Sequence, residues 1–281
     1  MKKNSIVAFQ GERGAFSELA AVQLLGPRIH LLPCERFDQM FRALSEGAAD
    51  GAVVPIENTL HGSVHENYDH LLNFDLKIVA ETSVRIVHNL IVPPGVKFST
   101  LRQVYSHPVA LNQCLRFFAA HPRLEKKTFY DTAGSVKMMM EERPEGVAAI
   151  ASSLAAANYG GEILKASIED DRKNFTRFFL LRRPDFAVPK VKQAAKISLI
   201  FTTKNSPGSL FRALAALALR DISLVKIESR PMRGRPWEYL FYLDFLGHVE
   251  DQNVQHALAH LGEVSDSIRV LGCYPAAKVE V

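Results

Sequence analysis

The sequence contains few cysteines, and they are not spaced to bind a metal. Cys34, Cys114 and Cys273 lie far apart, without a Cys-x-x-Cys pair and without histidines at zinc-ligand intervals. An odd number of widely separated cysteines also disfavours a disulfide scaffold. We therefore expect reduced cysteines in the core, and the motifs give no reason to expect a metal or another cofactor.

Long hydrophobic runs and clustered positive charge are also missing. No apolar stretch approaches the ~20 residues of a membrane-spanning helix. The N-terminal stretch Met1–Val7 leads into a strand pattern without the apolar core of a secretory signal. The net charge is +4, but lysines and arginines are scattered, the densest groups being pairs such as Arg182-Arg183. These absences predict a soluble, cytoplasmic protein that binds neither nucleic acid nor a membrane.

The length favours two domains. The chain has 281 residues, of which 47% are hydrophobic, so it can bury a large core. Residues 184–195 have little periodicity and include Pro189 and lysines, which is typical of a linker. We expect one domain at 1–183 and a second at 196–281.

The first domain has the strand and helix alternation of an α/β fold. Apolar strands at 6–9, 29–32 and 51–56 are each followed by a helix, the first with Leu19, Val22 and Leu25 on one face. The apolar run 76–92 is long for one strand and suits a segment that crosses from one lobe to another. The pattern then restarts, and one predicted helix carries Leu111, Leu115 and Phe118.

A glycine turn follows the first strand. Gly11 and Gly14 precede Phe16 and Ser17 at the start of a helix, where backbone N–H groups and the helix dipole favour an anion. The Gly-Lys-Ser/Thr ending of a P-loop and the dinucleotide fingerprint are both missing. The turn therefore predicts a generic ligand loop.

Polar side chains follow the third strand directly. Glu57, Asn58 and Thr59 come after the apolar run 51–56, at the carboxyl end, which is where parallel α/β sheets bind ligands. The alternative is a polar loop in which Thr59 or Ser63 caps the next helix.

Small hydroxyl residues precede three later helices, in Ser106-His107-Pro108, Asp131-Thr132-Ala133-Gly134-Ser135 and Ala151-Ser152-Ser153. Each hydroxyl is explained on its own as an N-cap. Together they would present hydroxyl and N–H groups at one edge of a sheet, which can bind carboxylates without Arg or Lys. We expect a small anionic ligand there. His107 is either an acid or base, or a hydrogen-bonded structural residue.

The strand at 174–181 carries two polar residues that packing does not require. Thr176 and Arg177 stand among Phe175, Phe178 and further apolar residues. Either they belong to a site, or the threonine serves strand propensity and the arginine faces solvent. The strand alone leaves both interpretations open.

The second domain has an order of its own. A strand at 197–201, a helix from 207 to 219, strands at 223–229 and 237–245, a helix at 254–261 and a strand at 268–271 are predicted. This βαββαβ order is that of the α+β ferredoxin-like fold.

Several motifs, taken in order, resemble those of the prephenate dehydratases with a C-terminal ACT regulatory domain. The turn from Gly11 to Ser17 is similar to the family's N-terminal ligand loop. The others are Val54-Pro55-Ile56-Glu57-Asn58-Thr59 with Gly62 and Val64, Ser106-His107-Pro108, Asp131-Thr132-Ala133-Gly134-Ser135, and the Thr-Arg-Phe signature at Thr176-Arg177-Phe178. Each motif is common alone, whereas five in this order are not.

Two segments of the second domain resemble the family's phenylalanine-site motifs. Gly208-Ser209-Leu210-Phe211 is similar to Gly-Ala-Leu-Val, and Glu228-Ser229-Arg230-Pro231 matches Glu-Ser-Arg-Pro. The chain departs from the family at Thr59, which stands where serine is usual, at Val109 in place of glutamine, and at Ser209 and Phe211 in the effector loop.

The resemblance implies a two-lobed, periplasmic-binding-protein-like catalytic domain that converts prephenate to phenylpyruvate, water and carbon dioxide without a cofactor. It implies a catalytic group of Thr176, Arg177, Phe178 and Glu57, with Thr176 donating a hydrogen bond to the departing hydroxyl. The implied substrate-binding residues are Gly14, Phe16, Asn58, Thr59, Ser106, His107, Thr132, Ala133 and Ser152. Glu57 and His107 are rival proton donors.

The ACT domain implies L-phenylalanine as an allosteric effector, bound by Gly208, Ser209, Leu210, Glu228, Ser229, Arg230 and Pro231. Pairing of these domains implies a homodimer or homotetramer. Two alternatives stay open: arogenate as the substrate, and a non-catalytic amino-acid sensor.

Overall fold

The computed structural model describes residues 5–187, 191, 194–232, 234 and 237–277. They divide into two compact units, the first formed by 5–70 and 82–180 and the second by 71–81 and 181–277. Part of the predicted linker, including Pro189, lies outside the described residues, as do the two ends of the predicted domains at 1–4 and 278–281.

The first part of the chain alternates strands and helices up to the end of the Thr-Arg-Phe strand. In chain order its elements are β1 (Ile6–Gln10), α1 (Phe16–Leu25), β2 (His30–Cys34), α2 (Phe37–Ser45), β3 (Gly51–Asn58), β4 (Gly62–Ser63), α3 (His65–Asn73), β5 (Lys77–Arg85), β6 (Asn89–Val92), a 3₁₀ turn (Phe98–Thr100), β7 (Gln103–Ser106), α4 (Pro108–Asn112), α5 (Leu115–Ala120), β8 (Glu125–Thr128), α6 (Thr132–Glu142), β9 (Val147–Ala151), α7 (Ser153–Tyr159), β10 (Glu162–Lys165) and β11 (Phe175–Arg182).

These elements form two lobes, each built on its own sheet. Lobe A has the strand order β2-β1-β3-β11-β5, with β4 paired to β3, and β1 is parallel to both β2 and β3. Lobe B has the order β10-β6-β9-β7-β8, in which β7 is parallel to β8 and β9. The chain crosses from lobe A to lobe B after β5 and returns after β10. The two lobes, and the predicted crossing within 76–92, are confirmed.

Helices cover both faces of the lobe B sheet, as its apolar strands predict. Leu90 and Ile150 pack in one cluster, with residues of α4 and α5. Ile91 and Ala149 belong to the other cluster, with residues of α6 and α7. Successive residues of a strand thus enter opposite layers, which is the period of two that a sheet imposes.

Two helices differ from the sequence prediction. The helix predicted through Leu111, Leu115 and Phe118 is two helices, α4 and α5, because the carboxylate of Asp170 accepts hydrogen bonds from the backbone N–H groups of Leu115 and Arg116 at 2.7 and 2.9 Å and starts a new helix there. In α1 the fully buried residues are small ones such as Ala20 and Ala21. Leu19, Val22 and Leu25 are only half-buried.

The second unit contains a four-stranded antiparallel sheet with the order β13-β14-β12-β15. Its elements are β12 (Ala195–Thr202), α8 (Ser209–Ala218), β13 (Leu224–Pro231), β14 (Tyr239–Leu246), α9 (Gln252–Val264) and β15 (Ser267–Pro275). Ile197, Leu199 and Phe245 pack in one core with Ala213 of α8 and Leu261 of α9. The predicted α+β ferredoxin-like βαββαβ fold is confirmed.

The structure also describes the cysteines and the lengths of the helices. All three cysteines are free: Cys114 is buried, whereas Cys34 and Cys273 are half-buried. Within the described ranges, no helix is long and apolar enough to cross a membrane.

Candidate active site

A cavity of about 280 Å³ lies between the two lobes. Small-molecule sites usually measure ~300–1,000 Å³, so this one suits a compact ligand with a single ring. Its walls are mostly apolar with a few polar groups. The lining residues are Gln10, Ala15, Phe16, Ser17, Pro55, Asn58, His61, Gly62, Ser63, Val64, Ile86, His88, His107, Val109, Ala110, Gln113, Asp131, Thr132, Thr176 and Phe178.

The hydroxyl of Thr176 is oriented by the last residue of β3. Asn58 Nδ2 donates to Thr176 Oγ1 at 3.0 Å, to Asn174 Oδ1 at 2.8 Å and to the carbonyl of Phe175 at 3.1 Å. Asn58 Oδ1 in turn accepts the backbone N–H of His61 at 3.0 Å. Because a threonine oxygen that accepts one hydrogen bond keeps its own proton, Thr176 is left as a donor at the cavity wall.

Strand parity separates the Thr-Arg-Phe signature into two faces. Thr176 and Phe178 line the cavity. Arg177 lies on the opposite face of β11, where its guanidinium is 4.7 Å from the Phe179 ring centre and Nη1 is 3.7 Å from Glu57 Oε2. Alternate residues of a strand point to opposite faces, so this separation follows from the sequence spacing. Neither Arg177 nor Glu57 lines the cavity.

Thr59 fastens two chain segments and lies outside the cavity lining. Its hydroxyl donates to the carbonyl of Lys173 at 2.9 Å and accepts the N–H of Phe175 at 3.0 Å. The hydroxyl therefore does not cap the next helix. The substitution of threonine for serine keeps the hydroxyl that this link needs.

The hydroxyl residues before the three helices do not all cap them. Ser106 donates to the carbonyl of Ile150 at 2.6 Å, and His107 is the N-cap of α4. Ser152 is an N-cap, since it accepts the N–H of Ala155 at 3.0 Å. Both serines are buried and lie outside the lining, because a hydroxyl at the end of a buried strand satisfies backbone groups first.

In the segment that precedes α6, Asp131 lies beside the hydroxyl residue Thr132. Asp131 is the N-cap of α6 and accepts the N–H of Gly134 at 2.7 Å. Burial raises the pKa of Asp131, against hydrogen bonds from backbone N–H groups that lower it. Thr132 is the first residue of α6 and lines the cavity with Asp131, whereas Ala133 is buried in the lobe B core.

The glycine turn places one of its two predicted residues in the cavity. Phe16 lines the wall and meets His88 edge-on, with ring centres 5.8 Å apart. Gly14 does not. It has φ +92° and packs against α7, where an added Cβ would stand 2.5 Å from the Cα of Ala155. Gly14 is thus required by backbone shape and by close packing.

His107 faces the cavity as a neutral group. Its Nδ1 accepts the N–H of Val109 at 3.3 Å, which leaves the proton on Nε2. Burial lowers the pKa of His107. Among the rival proton donors, His107 therefore lies in the cavity lining, whereas Glu57 pairs with Arg177.

Among the described lining residues, seven polar ones were not predicted as site residues: Gln10, Ser17, His61, Ser63, His88, Gln113 and Asp131. His88 interrupts an apolar run, and Asp131 precedes an expected helix, so both carried a signal. Gln113 sits in the break between α4 and α5, which depends on the distant Asp170. Nothing local in the sequence marked His61.

The predicted effector residues lie at two places in the second unit. Gly208, with φ +78°, is the N-cap of α8, and the buried Ser209 has its hydroxyl 2.7 Å from that of Ser206. Leu210 and Phe211 are both exposed, and Phe211 is the more exposed of the two, at 76%. The other predicted effector residues end the edge strand β13: Glu228, Ser229, Arg230 and Pro231.

The part of the chain that the structure describes holds no group of three or more His, Cys, Asp or Glu side chains arranged to bind a metal ion.

The chain is similar to known proteins over most of its length. The family described as prephenate dehydratase matches residues 7–185. The chain is 44% identical over 278 residues to arogenate dehydratase/prephenate dehydratase 2, chloroplastic, of Arabidopsis thaliana, covering 96% of this chain and 72% of that protein.

Two solved structures are similar over nearly the whole chain. The structure of GqqA, described as a novel type of quorum-quenching acylase, has 35% identity and a TM-score of 0.89, and covers 96% of this chain and 98% of that one. The prephenate dehydratase of Arthrobacter aurescens in complex with L-Phe has 32% identity and a TM-score of 0.88, and covers 96% and 90%.

Proposed function

Because the chain belongs to the prephenate dehydratase family, we propose that it converts prephenate to phenylpyruvate, water and carbon dioxide, a step towards L-phenylalanine. The observation that carries the proposal is the Thr176 hydroxyl, which Asn58 orients as a donor on the wall of a mostly apolar cavity.

The reaction needs a proton for its leaving group. The bond between the ring and its carboxylate breaks, its electron pair completes the aromatic ring, and the carbon–oxygen bond at the opposite ring carbon breaks. The departing oxygen takes a proton and leaves as water. Thr176 donates a hydrogen bond that strengthens as negative charge builds on that oxygen. Aromatisation supplies the driving force, so positioning and this donor are the main demands on the protein.

The lining suits both parts of such a substrate. Phe16, Ile86 and Phe178 offer apolar surface to the ring, and N–H groups at the start of α6 offer donors to a carboxylate. Glu57 and Arg177 support the site from the far face of the sheet, where their charges offset each other. His107 Nε2 is the second donor that faces the cavity.

Arogenate is the alternative substrate. It shares the ring and differs only in carrying an amino group in place of the side-chain ketone. The Arabidopsis relative is named for both substrates. The acylase activity named for GqqA is less well supported, because an acyl-transfer nucleophile needs an adjacent base and the Thr176 oxygen is hydrogen-bonded to an amide.

We further propose that residues 1–183 form the catalytic domain and residues 196–281 an ACT domain that binds L-phenylalanine and inhibits the enzyme in a homodimer or homotetramer. The similar A. aurescens structure holds L-Phe. Gly208, Ser209 and Leu210 would contact the effector together with the end of β13. The exposed Phe211 and Trp237, at 76% and 78%, supply apolar surface that a second copy would cover.

The test is turnover of prephenate and arogenate side by side, with and without L-phenylalanine. We expect phenylpyruvate from prephenate and a lower rate when phenylalanine is added. A non-catalytic sensor would bind phenylalanine and release no product from either compound. A sizing column that shows only monomer at micromolar concentration would contradict the oligomer.

A further inference from the structure

Three polar side chains of the cavity form a chain that the proposed chemistry does not use. His88 Nε2 lies 2.7 Å from Gln113 Oε1, and Gln113 Nε2 lies 3.1 Å from His61 Nδ1. His88 and Gln113 are 2% and 6% exposed, whereas His61 is exposed on the β3–β4 hairpin. All three residues line the cavity, and the second hydrogen bond crosses from lobe B to lobe A.

The buried histidine decides how the amide of Gln113 is turned. An amide oxygen only accepts, so His88 must carry its proton on Nε2. The opposite amide orientation would move that proton to Nδ1, which is buried and has no hydrogen-bond partner among the residues that the structure describes. An orphaned buried N–H is rarer and more costly than an unused acceptor. Burial also lowers the pKa of His88, which keeps the ring neutral with a single N–H.

The amide orientation then decides the tautomer of His61. Gln113 Nε2 is a donor, so His61 Nδ1 accepts and the His61 proton sits on Nε2. The backbone of His61 is held as well, because its N–H donates to Asn58 Oδ1 at 3.0 Å. His61 thus presents a fixed N–H donor at the cavity, close in sequence to the residue that orients Thr176.

We propose that His61 is a specificity-determining residue that donates from Nε2 to the side-chain oxygen of the substrate and so favours prephenate over arogenate. The inference rests on the proposed function. The ketone of prephenate accepts a hydrogen bond, whereas the ammonium of arogenate only donates. If the His61 N–H faced the ammonium of arogenate, both groups would be donors and neither would have an acceptor. A site that hydrogen-bonds the ketone of one substrate rejects an analogue that cannot accept that hydrogen bond.

The cavity offers little to an ammonium group in return. Among the described lining residues the only carboxylate is that of Asp131. It is the N-cap of α6, and its Oδ1 already accepts the backbone N–H of Gly134 at 2.7 Å. The imidazole N–H groups of His61 and His107 and the amide of Gln113 therefore set a polarity that suits an oxygen acceptor.

The experiment compares His61→Asn, His61→Leu and His61→Gln with the wild type, using prephenate and arogenate separately. Asparagine can still accept the bond from Gln113 but lacks the distal N–H. We expect kcat/KM for prephenate to fall by about tenfold in His61→Asn and His61→Leu, the loss of roughly one good hydrogen bond, with that for arogenate nearly unchanged. His61→Gln restores a distal N–H and should recover most of the preference.

His30→Asn is the matched control, because His30 is exposed on β2 and lies outside the cavity lining. Its ratio of kcat/KM values should equal that of the wild type. A wild type that prefers arogenate, or an unchanged ratio in both His61→Asn and His61→Leu, overturns the role of His61. A wild type that converts neither compound overturns the proposed function instead, so the two failures are distinguishable.

Discussion

Replacing Thr176 by valine tests the proposed hydrogen-bond donor to the leaving oxygen while nearly keeping the shape of the side chain. Valine keeps the branched side chain that suits β11 and removes only the hydroxyl. Asn58 then loses its bond to Thr176 Oγ1 but keeps Asn174 Oδ1 at 2.8 Å and the Phe175 carbonyl at 3.1 Å as acceptors. Since both amide protons remain satisfied, we expect the free energy of unfolding to fall by only about 1 kcal/mol.

The catalytic loss should be much larger than the structural one. Removing a donor that acts on developing negative charge lowers kcat by about 10²–10³. A stability loss of about 1 kcal/mol leaves a domain of ordinary stability folded at room temperature. Lost turnover would therefore reflect the missing donor. Because the hydrogen bond strengthens in the transition state, KM should change little.

The assay is the rate of phenylpyruvate formation from prephenate, with thermal melting of each variant in parallel. Thr176→Ser keeps the hydroxyl and should retain activity within about tenfold of the wild type. Thr128→Val is the control, since Thr128 is an exposed strand residue outside the cavity lining. If Thr176→Val keeps near-normal kcat while remaining folded, another group donates the proton, with His107 as the first candidate.

Three further predictions follow from packing and charge. Gly14→Ala should lower the free energy of unfolding by roughly 2–4 kcal/mol, because Gly14 has φ +92° and the added Cβ would stand 2.5 Å from the backbone of α7. In the same urea titrations the control Gly160→Ala should lose only about 1 kcal/mol, because Gly160 has φ +71° but open space around it. Burial lowers the pKa of His88 below the value of about 6.5 that it has in the unfolded chain, so the unfolded chain binds the proton first. The free energy of unfolding therefore falls as the pH drops below about 6.5. Urea unfolding at several pH values should show a smaller decrease in His88→Gln than in the wild type, and an identical decrease would contradict the burial argument. Arg177→Met should change KM by less than about threefold while costing about 1 kcal/mol of stability, because the guanidinium pairs with Glu57 away from the cavity; a large rise in KM would place Arg177 on the substrate.

The sequence predicted most of the architecture because that architecture depends on short-range patterns. The apolar strands, the helices between them and the βαββαβ order all follow from periodicities of two and 3.6 residues. Strand parity could also have separated Thr176 and Phe178 from Arg177, since only alternate residues share a face. The motif match grouped these residues by their adjacency, whereas the sheet divides them.

The remaining part of the site depends on contacts between distant residues. The break that exposes Gln113 needs Asp170, and the orientation of Gln113 needs His88. His61 enters the site through a hydrogen bond to Gln113, which is 52 positions away. A reading of local patterns also assigned Ser106 to a ligand, although a buried carbonyl was its nearer partner.

The position of β11 has a consequence for the synthesis of the protein. Asn58 and Thr176 are 118 positions apart, and β11 lies between β3 and β5 in the lobe A sheet. During synthesis, the lobe A sheet therefore lacks its strand between β3 and β5 until lobe B and then β11 have been translated. A nascent or truncated chain that ends before residue 174 has both of its lobe cores in sequence yet exposes two unpaired strand edges. The insertion of β11 thus completes the candidate active site and covers the two exposed strand edges in one folding step.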